Sequence, residues 1–172
     1  MDAATQQIKK DSRQTCLQVL AAVLFVLLTG LSAEAQIGRL RSRDGAQSLV
    51  HDLQNPVQPF NAVRWDVQNR SRSGCVVQWT ADAFVHRDLG AKADCGLQLT
   101  IVQQSNNGRW SVLQPQDQTE FASGRDRASV SIAAQRQGVA RIALQVVFAS
   151  EDPTSLVAGR YETVVTGTIT AP

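Results

Sequence analysis

The sequence predicts an all-β protein, an antiparallel β-sandwich of about seven strands preceded by a signal peptide. Three observations predict it. Apolar and polar residues alternate in short runs, turn-forming residues recur between those runs, and no run beyond residue 35 has convincing helical periodicity. The clearest run is AGRYETVVTGTIT, residues 158–170. Tyr161, Thr163, Val165, Gly167 and Ile169 share one face there, and Glu162, Val164, Thr166, Thr168 and Thr170 the other. Its β-branched residues suit a pleated, half-buried surface.

Residues 1–35 are expected to lie outside the fold. Lys9, Lys10 and Arg13 form a positive segment, an apolar run follows from Leu17 to Ala33, and Ala33–Ala35 gives the small-x-small pattern of a cleavage site. The expected junction is Ala35–Gln36, with a retained signal anchor as the alternative. Spanning about 30 Å of hydrocarbon takes roughly 20 apolar residues, and Gln18 interrupts this run. The mature form is therefore expected in the periplasm or outside the cell, and not in the membrane. A length of 172 residues suits one domain. A formal net charge of +2 lacks the basic excess of a nucleic-acid binder.

Residues 36–59 read as an irregular lead-in, because GRLRSRDG is polar and QNPVQP carries two prolines. The sandwich is placed at residues 60–172. Val63, Trp65 and Val67 alternate in its first strand, and Cys75, Val77 and Trp79 in its second. A short strand is expected around Phe84, then one carrying Leu97, Leu99 and Ile101. SNNG, residues 105–108, signals a hairpin, since Asn-Gly tolerates the positive φ of a type I′ turn. Trp110 and Val112 follow, then Val130, Ile132 and Ala134, then the long run from Ala140 to Phe148. This strand count and spacing fit an immunoglobulin-like sandwich.

Cys75 and Cys95 remain after Cys16 leaves with the signal peptide. A pair in an exported chain is expected to form one disulfide, worth about 3 kcal/mol for this loop length. A zinc site would need four ligands at characteristic spacing, and His51 and His86 do not complete one.

Ala158, Gly159, Tyr161, Val165 and Ile169 resemble the terminal strand of secreted bacterial pilin-like domains, of the spore coat protein U and chaperone–usher subunit type. The resemblance implies a structural subunit that works through its sheet edges. On such a reading the terminal strand, with Tyr161, Val165 and Ile169, is either a core strand or the edge that receives a partner strand. In that family a neighbour's N-terminal extension, apolar at alternate positions, fills the groove. Here Ile37 and Leu40 are followed by charges, a departure from the pattern.

Other chemistry is sparse. Asp82, His86, Asp88 and Asp94 are close in sequence and offer oxygen and nitrogen donors, but without the spacing of a calcium loop; a solvated loop is the simpler reading, and no metal is assigned. No GxSxG elbow is present, His51 and His86 are the only candidate bases, and the serines have no distinctive context. Trp65, Trp79 and Trp110 fall in phase with core positions. Arg39, Arg41 and Arg43, with Arg70 and Arg72, offer charge to acidic surfaces or lipids, and Asn69-Arg70-Ser71 matches a glycosylation acceptor. The expectation is a non-catalytic cell-surface or pilus-like module without a cofactor, its partner a protein joined by strand addition. The alternative is a periplasmic protein holding a ligand in loops 82–94 and 115–127, with a secreted hydrolase third.

Overall fold

The computed structural model describes residues 37–50, 55–150, 152 and 156–172. The expected signal peptide and its Ala35–Gln36 junction lie outside the described residues. Within them the chain forms β1 (Gly38–Ser42), β2 (Val57–Pro59), β3 (Val63–Asn69), β4 (Cys75–Asp82), β5 (Phe84–His86), β6 (Lys92–Gln104), β7 (Trp110–Gln114), β8 (Gln116–Gln118), β9 (Arg127–Ala134), β10 (Gly138–Ala149), β11 (Tyr161–Glu162) and β12 (Val165–Thr170). One antiparallel sheet runs β1-β3-β10-β6-β5-β11, with β2 beside β10 and β8 beside β6. The other runs β12-β4-β9-β7. The protein is a two-sheet β-sandwich.

Alternation decides which side chains meet between the sheets. Cys75, Val77, Trp79 and Ala81 of β4 are buried, as are Ala128, Val130, Ile132 and Ala134 of β9. They share one cluster with Val67, Leu97, Leu99, Ile142 and Leu144 of the larger sheet. Each large aliphatic side chain buried this way contributes about 1.5–3 kcal/mol. The tryptophans lie in the core as their phase requires: Trp79 and Trp110 are buried, and Trp65 is half-buried with its ring edge-on to Trp79 at 6.0 Å. A second aromatic group joins Phe84 to Phe60 at 5.9 Å and to Phe148 at 5.1 Å.

One flank of the sandwich is closed by a strand that changes sheets. β7 pairs with β9, and after Pro115 the chain continues as β8 beside β6. Proline has no N–H for a ladder, so the change of partner falls where the first ladder must stop.

Three expectations need correction. Residues 36–59 are not merely an irregular lead-in: β1 pairs along its whole length, Gly38–Ser42, with Asn69–Trp65 of β3, and β2 pairs with Val147–Ala149 of β10. The sandwich therefore begins at Gly38 rather than at residue 60. Both segments are edge strands, where charge and proline are tolerated, so their composition imitates a loop. SNNG is not a hairpin turn, because β6 and β7 belong to different sheets. The segment carries the chain across the sandwich, and Arg109 takes the positive φ, 47°.

The run from 158 to 170 is not one strand. β11 pairs with β5 in the larger sheet, whereas β12 pairs with β4 in the smaller one. Thr163 lies at the crossing, its Oγ1 donating to the Asp82 carbonyl at 2.7 Å. The inward-outward alternation survives the crossing, from half-buried Tyr161 to half-buried Ile169, although the ladder changes partner. Side-chain phase is thus a property of the extended backbone and does not reveal which strand it pairs with.

Candidate functional site

The three residues expected to mark a partner edge are separated. Val165 and Ile169 are on β12, and Tyr161 is on β11, where its ring stands edge-on to His86 at 5.1 Å and to Phe148 at 5.7 Å. Tyr161 therefore anchors the aromatic end of the core.

An exposed sheet edge is a row of unpaired backbone donors and acceptors, and natural edges are protected by brevity, charge, proline or bulges. β2 and β8 have three residues each and β11 has two. β1 carries Arg39 and Arg41, and the pairing of β7 slips between Val112 and Gln114. β12 has none of these protections. Its six residues, VTGTIT, contain no charge and no proline, and pair with Ala81–Val76 in an unbroken register.

β1 lies across the sandwich from β12, and the two edges interlock through side chains. Ile169 nests over Gly38, where an added Cβ would come within 2.5 Å of its Cδ1. Leu40 nests over Gly167, where an added Cβ would lie 2.6 Å from its Cδ2. Ile37, Leu40, Val165 and Ile169 all pack on the core. The seam between the sheets is filled by the chain's own residues. Among the described residues no strand pairs with the outer ladder of β12.

At the other end of β4, loops 82–94 and 115–127 come together, as the alternative reading requires. The Ala83 N–H donates to the Asp126 carbonyl at 2.8 Å, Lys92 pairs with Asp126 at 2.9 Å, and Arg127 pairs with Asp82 at 2.8 Å. Asp94 is buried and accepts from Thr119 Oγ1 at 2.7 Å and from the Phe121 N–H at 3.0 Å. These charges are spent on joining the two loops. The hollow beside them, about 220 Å³, is lined by Lys92, Asp94, Phe121 and Tyr161 among others.

The donors weighed for a metal are occupied elsewhere. His86 is buried, and its Nδ1 accepts from the N–H groups of Asp88 at 3.2 Å and Leu89 at 3.1 Å. That arrangement leaves the proton on Nε2, which faces the Ala158 carbonyl at 3.3 Å. Gly159 passes so close to the same nitrogen that any Cβ would collide with it. Among the described residues, no three His, Cys, Asp or Glu side chains gather as metal ligands. Asn69, the glycosylation candidate, is buried and donates through Nδ2 to the carbonyls of Ser71 and Arg136.

The expected Cys75–Cys95 disulfide is overturned. Both residues are buried free thiols in different sheets. Cys75 opens β4 and pairs with Ala134, whereas Cys95 interacts with Thr163 and feels the charge of Asp82 at the far end of β4. Eight residues of strand span on the order of 25 Å, against the roughly 7 Å limit between the Cα atoms of a disulfide. Burial pushes both thiols up, Cys95 to about 12. The denaturant midpoint is therefore expected to be the same with and without reductant; a drop on reduction would restore the bridge.

Comparison with protein-family models and with curated proteins finds no match. Among the described residues no helix is long and apolar enough to cross a membrane. The sequence did not single out β1 or the nesting of Leu40 over Gly167. The signal for β1 was present, as arginine at every second position of Arg39, Arg41 and Arg43.

Proposed function

We propose that this protein is an exported, non-catalytic structural or adhesive module that binds protein partners by adding their strands to β12. The observation that carries the reading is the bare edge itself: six uncharged residues in unbroken register, beside edges that are short, charged or bulged. Main-chain hydrogen bonds supply the affinity in such strand addition, and the exposed Thr166, Thr168 and Thr170 offer a uniform surface beside the added strand. The resemblance of residues 158–169 to pilin-like terminal strands agrees with this use. The filled seam favours extension at the edge over insertion of a missing strand, because Leu40 and Ile169 already occupy the space.

The test is association of the purified chain with itself and with a synthetic ten-residue peptide of alternating valine and threonine. A lysine on an edge strand opposes edge-to-edge docking. Replacing Thr166 and Thr168 together by lysine is expected to weaken association at least tenfold, with the melting temperature kept within about 2 °C. Leu113→Lys, on the bulged edge β7, is expected to change association less than twofold. A chain that stays monomeric at hundreds of micromolar and ignores the peptide would overturn the reading. Equal losses in both variants would do the same.

A further inference from the structure

The outer face of the larger sheet carries a second feature that edge docking does not use. β1 buries Gly38 and turns Leu40 toward the core, so Arg39, Arg41 and Arg43 project to the opposite side. The ladders align Arg41 with Asp66, Arg141 and Gln103 across β1, β3, β10 and β6, and align Arg39 with Gln68 and Val139. Together they line a groove of about 560 Å³. Four arginines border it, Arg39, Arg41, Arg43 and Arg141, against one carboxylate, Asp66.

Asp66 divides these arginines into two pairs. It binds Arg43 closely and Arg141 at 3.3 Å, and the Arg43 hydrogen bond is the main reason its carboxyl is held below the usual range. Arg43 and Arg141 are thereby fixed on either side of it. Arg39 and Arg41 are exposed and have no ion pair among the described residues. Two positions along a strand separate their Cα atoms by about 7 Å, a spacing that suits charges repeated along an extended chain better than one small anion. Arg70 and Arg72, the other basic candidates, lie beyond the end of β3 and outside the groove lining.

We infer that this groove binds an acidic polysaccharide whose carboxylate or sulfate groups repeat along its length. Guanidinium groups grip such anions through paired hydrogen bonds. Between the arginines, Gln68, Gln103, Gln104 and Ser105 offer neutral donors and acceptors of the kind sugar hydroxyls use. Among the described residues no aromatic ring lines the groove, whereas single-stranded nucleic acid relies on such rings for stacking. A membrane surface would want a broad apolar face beside the charge, and of the apolar side chains in the lining Val139 alone is exposed, Val67 and Ala140 being buried.

The test is binding of the full chain to oligogalacturonate at 50 mM salt, with neutral dextran, single-stranded DNA and anionic lipid vesicles as competitors. Oligogalacturonate is expected to bind with an affinity that falls as salt rises, and dextran is not. Replacing Arg39 and Arg41 together by glutamine is expected to weaken binding at least tenfold. Replacing Arg87 and Arg136 together, which removes the same charge outside the groove, is expected to change it less than twofold. Absence of binding, equal losses in the two double variants, or tighter binding of DNA or vesicles would each overturn the assignment.

Discussion

Raising the pH from 9 toward 12 is expected to destabilise the fold steeply, and Cys95 is the main reason. Its side chain is fully buried between the sheets, where a thiolate would lose its hydration; burial therefore raises its titration from 9.0 to about 12. The charges of Asp82 and Asp94 push the same way, and the hydrogen bond with Thr163 opposes them. In the unfolded chain the thiol ionises near its ordinary value, so the unfolded state alone gains from the first rise in pH. Stability is fully present below about 9 and is lost as pH climbs to about 12. Three units correspond to about 4 kcal/mol, a large share of the roughly 5–15 kcal/mol that holds a domain together. Denaturant midpoints of the wild type and Cys95→Val, measured at each pH, check it. The valine variant should show a flatter alkaline limb. Parallel curves would mean that Cys95 does not carry the effect.

Trp79→Ala is expected to cost about 3–5 kcal/mol, the range for removing a large aromatic side chain from a core. Trp79 is fully buried at the middle of β4, edge-on to Trp65, and its indole lies beneath Gly167 of β12. The loss should reach beyond the core, because Leu40 nests at the same glycine. Amide exchange in β1 and β12 is expected to quicken more than in β6. Trp79→Phe keeps a ring against Trp65 and should lose less than half as much stability. Uniform exchange across both sheets in the alanine variant would show that the seam does not depend on this side chain.

Most of the core was legible because burial follows period two. Val77 and Trp79, Val130 and Ile132, and Ile142 and Leu144 were each placed by alternation, and each is buried. What alternation cannot supply is the partner. Tyr161 and Val165 share a phase but belong to different sheets, and Cys75 and Cys95 are close in sequence but lie toward opposite ends of the sandwich. β1 was missed for a different reason. Its outward residues are arginines and one of its inward residues is Gly38, so the apolar signal is carried by Ile37 and Leu40. Arg39 and Arg41, which the sequence offered only as charge for acidic surfaces or lipids, are ordered by that strand, and only the register shows Arg41 meeting Arg141 across Asp66.

The reciprocal nesting of Leu40 over Gly167 and Ile169 over Gly38 also sets an order of events in folding. It joins residues more than a hundred positions apart, so its loop-closure entropy is large. Such non-local pairings form late, after local hairpins have condensed, and they place a fold among those that take milliseconds to seconds. During that interval the inward faces of β1 and β12 are both uncovered, and a chain emerging progressively presents β1 long before β12 exists. The same contact that completes the sandwich thus makes its assembly a race between closing on itself and meeting another strand.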